Sequence, residues 1–85
     1  MLSEPMTLYK LMNLYMLKKV NFPLTNAQLT DFFLQHEYAS YFTLQQALGE
    51  LKDSGLIRAE STHSTTRYEI TKEGEETLNF FENNI

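Results

Sequence analysis

The sequence predicts an α+β domain of three consecutive helices, a two-stranded hairpin and a C-terminal helix. Two observations carry this. Apolar residues recur at helical spacing in three successive segments and again at the end of the chain, and before that last segment lie two short runs rich in branched and aromatic residues. The first helix covers residues 4–20, with Pro5 in a first turn that tolerates it and Leu8, Leu11, Met12, Tyr15 and Met16 at helical spacing. Met6, Leu14 and Leu17 lie on the opposite side among Lys10, Asn13 and Lys18, an apolar surface for a loop, a second copy of the chain or a further domain to cover. Together with Phe80 they form the candidate interface of a homodimer.

Pro23 disfavours helical backbone at Phe22 and ends this segment in a short linker. Thr25-Asn26-Ala27-Gln28 then fits a capping box, ahead of Leu29, Phe32 and Phe33, and opens a second helix that ends near His36. Residues 37–40 form a turn. Leu44, Ala47, Leu48 and Leu51 mark the apolar side of a third helix, stopped by Gly55. Residues 56–61 and 66–70 are the strands of a hairpin joined by Thr62-His63-Ser64-Thr65; in the second strand Tyr68 and Ile70 share the core face, Arg67 and Glu69 the solvent face. Thr71 caps a fourth helix that carries Leu78, Phe81 and Ile85 on one side.

Composition narrows what such a domain does. A chain of 85 residues is one domain and buries only about 60–65% of the surface its unfolded form exposes, which leaves little room for an active-site cavity. With 42% hydrophobic residues it folds, and binding is its expected business. The absence of cysteine excludes a disulfide framework, a thiolate zinc site and a cysteine nucleophile, and permits a reducing compartment. No secretory leader is visible, and the longest apolar run, residues 14–17, is far short of the roughly 20 residues of a membrane span. A soluble, cytoplasmic protein with no membrane contact is expected. The net charge of −4 counts against a nucleic-acid partner, but residues 71–85 hold Glu73, Glu75, Glu76 and Glu82 against Lys72 alone, so most of the acidity lies in the tail, on a solvated helix face.

Helix, helix, helix, hairpin, helix is the order of a winged helix-turn-helix domain, whose third helix lies in a DNA groove and whose hairpin is the wing. Two stretches sharpen the match. Leu48-Gly49-Glu50-Leu51-Lys52-Asp53-Ser54-Gly55-Leu56-Ile57 resembles the end of the recognition helix in PadR-like and MarR-like bacterial regulators. Tyr68-Glu69-Ile70-Thr71-Lys72-Glu73-Gly74 is similar to the junction between wing and last helix in those families. Residues 11–30 and Ser40-Tyr41-Phe42-Thr43-Leu44-Gln45-Gln46 most resemble a little-characterised family of bacterial winged-helix proteins, and that likeness covers nearly the whole chain. Members of that family run well past this length, so the resemblance leaves open that residues 1–85 are the N-terminal domain of a longer protein. It implies a transcription-regulator fold and brings no effector or operator.

On that expectation Tyr41, Thr43, Gln45 and Gln46 face the bases, glutamine because it pairs bidentately with adenine and threonine because it touches a thymine methyl or a phosphate. Lys52, Arg58 and Arg67, with His63, Ser64 and Thr65 at the wing tip, are the candidate phosphate contacts on double-stranded DNA. The third helix departs from the regulator pattern in offering Lys52 alone, beside Glu50 and Asp53, so each protomer is expected to bind weakly and to need a dimer. Gly49 inside that helix costs about 1 kcal/mol relative to alanine and predicts a close approach by another element or by a backbone. No enzyme, cofactor or metal is expected: His36 and His63 sit in different elements, and the sequence has no glycine-rich phosphate loop or serine elbow. The alternative is a winged-helix protein–protein interaction module that docks a partner through Met6, Leu14, Leu17 or Phe80.

Overall fold

Pro5 supplies no N–H to a helix start that has no use for one, and the computed structural model, which describes residues 5–36 and 39–83, begins there with α1 (Pro5–Val20). The order continues as β1 (Leu24–Thr25), α2 (Asn26–Gln35), α3 (Tyr41–Asp53), β2 (Ile57–Ser61), β3 (Thr66–Ile70) and α4 (Lys72–Asn83). The predicted α+β architecture is therefore present, with the three helices, the hairpin and the C-terminal helix in the order of a winged helix. Residue 4 as a helix start, residues 37–38 of the predicted turn and Ile85 on the last helix lie outside the described residues.

One element was not expected. The two residues before α2 form a strand, so the sheet has three antiparallel strands in the order β1-β3-β2. Its register pairs Leu24 with Tyr68 and Thr25 with Arg67 on one side of β3, and Ile57 with Ile70 through Ser61 with Thr66 on the other. The cause is local. An N-cap residue must have extended backbone, and Thr25, at φ −76° and ψ 157°, is at once the cap of α2 and the end of β1. The capping box is complete: Thr25 Oγ1 accepts from the Gln28 N–H at 3.0 Å, and Gln28 Oε1 accepts from the Thr25 N–H at 2.9 Å.

The core takes one side from every element: Leu14 and Leu17 of α1, Leu29 and Phe33 of α2, Leu44, Leu48 and Leu51 of α3, Ile57 and Tyr68 of the sheet, and Leu78 of α4. This corrects the assignment of α1. Leu14 and Leu17, expected at a subunit interface, are 1% and 3% exposed, whereas Leu8 and Tyr15 of the other stripe are 49% and 47% exposed. Asn13 is buried beside Leu14, its amide donating to the Tyr9 carbonyl at 2.9 Å. A helix that is apolar on two sides carries no moment to say which side is inner; contacts with α3 and α4 decide it, through Lys10 to Glu50 at 2.6 Å and Lys18 to Asn79 at 2.9 Å.

Two junctions hold the hairpin. At the end of α3 the Gly55 N–H reaches the Lys52 carbonyl and the Leu56 N–H the Leu51 carbonyl, both at 3.0 Å, and Gly55 takes φ +78°, the left-handed cap that glycine adopts without strain. At the start of α4 the Thr71 hydroxyl accepts from the Gly74 N–H at 3.0 Å and donates to the Gly55 carbonyl at 2.8 Å. A Cβ on Gly74 would collide with the Leu56 carbonyl oxygen and the Ile70 side chain. The threonine, two residues and glycine of this corner thus lock the wing root to both helices.

Candidate nucleic-acid interface

Helix α3 presents different residues to its two flanks and to solvent. Leu44, Ala47, Leu48 and Leu51 are buried, so positions 42, 46, 49 and 53 point outward. Ser40 caps the helix, its hydroxyl accepting from the Thr43 N–H at 3.2 Å and bonded to the Thr43 hydroxyl at 2.9 Å. Thr43 is therefore part of the cap as well as half-buried.

Gln45 does not point into solvent. Its amide pairs reciprocally with that of Asn26, at 2.9 and 3.1 Å, and its nitrogen also reaches the Thr30 hydroxyl at 3.5 Å. Asn26 in turn donates to the Tyr68 hydroxyl at 3.1 Å. The expected adenine contact is instead a strut that ties α3 to α2 and the sheet, because a half-buried amide must find partners within the fold. Gln46 is exposed, as expected, but its nitrogen donates to Glu50 at 3.0 Å. Glu50 also takes the Lys10 ammonium, and these two donors, lysine first, hold its carboxyl below the ordinary value.

The hairpin tip is closed by the Thr62 N–H to the Thr65 carbonyl at 2.8 Å and by the Ser61 and Thr66 hydroxyls at 3.0 Å, leaving His63 and Ser64 exposed. On the solvent face of the sheet the two arginines stand opposite carboxylates. Arg58 is bonded to Glu69 at 3.2 Å, and Arg67 lies across from Glu60 in the register. These are exposed pairs and weak ones, but they lower the positive potential of the wing.

The tip and the start of α3 converge. Tyr41, Asn26, Thr30 and Asp31 of α2, and the wing residues Ser64, Thr65 and Arg67 border one open depression of about 510 Å³. Of the expected site residues, Tyr41, Ser64, Thr65 and Arg67 are thus brought together, whereas Thr43, Gln45, Gln46, Lys52, Arg58 and His63 do not line it. Asn26 was read only as part of the capping box and Thr30 was given no role; the signal that could have found them, a polar pair on α2 facing another on α3, requires knowing how the helices cross. Phe42, beside Tyr41 and edge-on to it at 5.7 Å between ring centres, is 82% exposed at the outer face of α3. Gly49, two turns on, has open space where a Cβ would stand, so among the described residues no other element makes the predicted close approach.

Residues 9–85 match the family model described as "Domain of unknown function (DUF4364)". The chain belongs to that family. No curated protein and no solved structure matches it. The DUF4364 match takes in β1, α2, α3 and the wing, so every residue bordering the depression lies within the family's own span. No helix among the described residues is long and apolar enough to cross a membrane.

Proposed function

We propose that this domain binds double-stranded DNA, as the DNA-binding part of a cytoplasmic bacterial transcriptional regulator. The observation that carries the reading is the shared depression: the first turn of α3 and the wing tip border one open concavity, lined by the hydroxyl-bearing residues Thr30, Tyr41, Ser64 and Thr65 and by Arg67, with Asp31 as its one carboxylate. Hydroxyls and an arginine are the groups that fix a protein on a sugar-phosphate backbone. Phe42 then stands where an apolar side chain can touch a thymine methyl, and the bare backbone at Gly49 lets the groove wall come close. Lys52 and His63 supply further backbone contacts at the edges.

The structure changes the expected strength. With Arg58 committed to Glu69, about two to three phosphates are neutralised per protomer, giving a slope of log affinity against log salt of about −2 to −3. The test is fluorescence anisotropy with a random-sequence duplex at low and then rising salt. Affinity that falls along such a slope, and that drops when Arg67 becomes alanine while Arg58→Ala changes little, supports the reading. Binding absent at the lowest salt refutes it. That outcome would favour the second reading, a protein-interaction module, for which the specific observation is that both wing arginines already face glutamates.

A further inference from the structure

A helix apolar on two sides can bury only one of them in its own domain, and α1 has done so with Leu14 and Leu17. Its other side, with Leu8 and Tyr15 as an i, i+7 ridge, borders an almost wholly apolar groove of about 380 Å³, whose far wall is Leu78 and Phe81 of α4 and whose floor is Phe32 of α2. Met6 is half-buried, and Phe80, though exposed, does not line this groove; its neighbour Phe81 does. The free apolar face of the domain is therefore not the one expected from the sequence.

Charge narrows the occupant. The ridge helix α1 carries Lys10, Lys18 and Lys19 and no carboxylate, whereas α4 carries Glu73, Glu75, Glu76 and Glu82 against Lys72 alone. Of these carboxylates Glu82 is the one that borders the groove, so an apolar ridge flanked by a lysine is what fits against α4, and α1 itself carries such a ridge. Ridge and groove are adjacent on one molecule, which is the condition for a two-fold arrangement in which each copy gives the other what it receives. Lys19, packed over the Tyr15 ring at 5.6 Å, and Glu82, at the lip of the groove, form no ion pair with each other or with any other described residue.

We propose that two copies of this chain associate through the groove, each seating the Leu8–Tyr15 ridge of its α1 against α4 of the other, with Lys19 of one copy facing Glu82 of its partner. The proposal does not depend on DNA, and its test uses none. Sedimentation equilibrium of the protein at about 100 μM is expected to give twice the chain mass. Leu8→Glu, on a half-exposed residue, should return it to the mass of a single chain with an unchanged circular-dichroism spectrum, and Tyr15→Ser should do the same should Leu8→Glu fail to fold. Lys19→Glu and Glu82→Lys should each weaken association about fivefold to tenfold, since a two-fold axis counts the pair twice, and the double reversal should restore it. A wild type that stays at the single-chain mass overturns the proposal and leaves the groove to another partner. A dimer indifferent to both ridge variants, or a double reversal no tighter than the single ones, overturns it equally.

Discussion

Gly74 and Gly49 each place inside a helix the residue that, proline aside, favours it least, yet their surroundings are opposite. A methyl group on Gly74 would run into the Leu56 carbonyl and the Ile70 side chain, whereas one on Gly49 would meet nothing within 4 Å. The intrinsic cost is the same, about 1 kcal/mol against alanine. At the α4 corner it is offset by the close contact that lets Thr71 bond both Gly55 and Gly74. On α3 no contact among the described residues offsets it. Tertiary contact, and not the residue type, separates a glycine required by the fold from one that leaves a helix surface bare.

The comparison can be broken first at its strong end. Gly74→Ala should cost about 3 kcal/mol or more, read from the denaturant midpoint, because backbone stands in the way and cannot yield as a side chain can. An unshifted midpoint would show the corner to be loose. Next comes the same contrast on α1: at a protein concentration low enough to keep the chains apart, Leu14→Ala should lose about 2–5 kcal/mol by leaving a cavity, and Leu8→Ala well under half of that, since in the single chain Leu8 is already half in water. Equal losses would mean that the two sides of α1 have been exchanged. Gly49→Ala should raise stability by about 0.5–1 kcal/mol. If the outer face of α3 meets DNA, the same variant should bind duplex less tightly although it is more stable.

The smallest effect concerns Glu50. Its carboxyl is held below the ordinary value by Lys10 and then by Gln46, so the interaction favours the ionised, folded form. The stability it lends is present above the ordinary carboxylate range and is lost as pH falls through the lowered folded value. Lys10→Met should move the Glu50 titration upward in an NMR pH series and flatten the acid side of the stability profile. A Glu50 titration unmoved by that substitution would remove Lys10 as the cause.

What could be read from the chain alone follows the range of the interactions. The capping box at Thr25 and Gln28, the Gly55 stop and the Thr71 cap are set by neighbours within a few positions, and all three stand as expected. Three features were not legible because their partners are distant. Strand β1 is two residues long and exists through pairing with β3, more than 40 positions away. The Gln45 amide is committed to Asn26, 19 positions earlier. The inner side of α1 is chosen by α3 and α4, since Leu14 and Leu8 are equally apolar. At the site, proximity of Tyr41 to the wing tip was inferable from element order, but the carboxylates facing Arg58 and Arg67 needed the strand register.

Thr25 belongs to two structures at once, a strand paired with the middle of the wing and the first turn of the helix before α3. The hairpin therefore cannot swing on its own. Tilting it would strip Thr25 from Arg67 and Asn26 from Tyr68, at the very residues that start α2. Arm and helix move as a single lever, so whatever pulls on the wing tip is felt at the root of the second helix before the hairpin itself can bend.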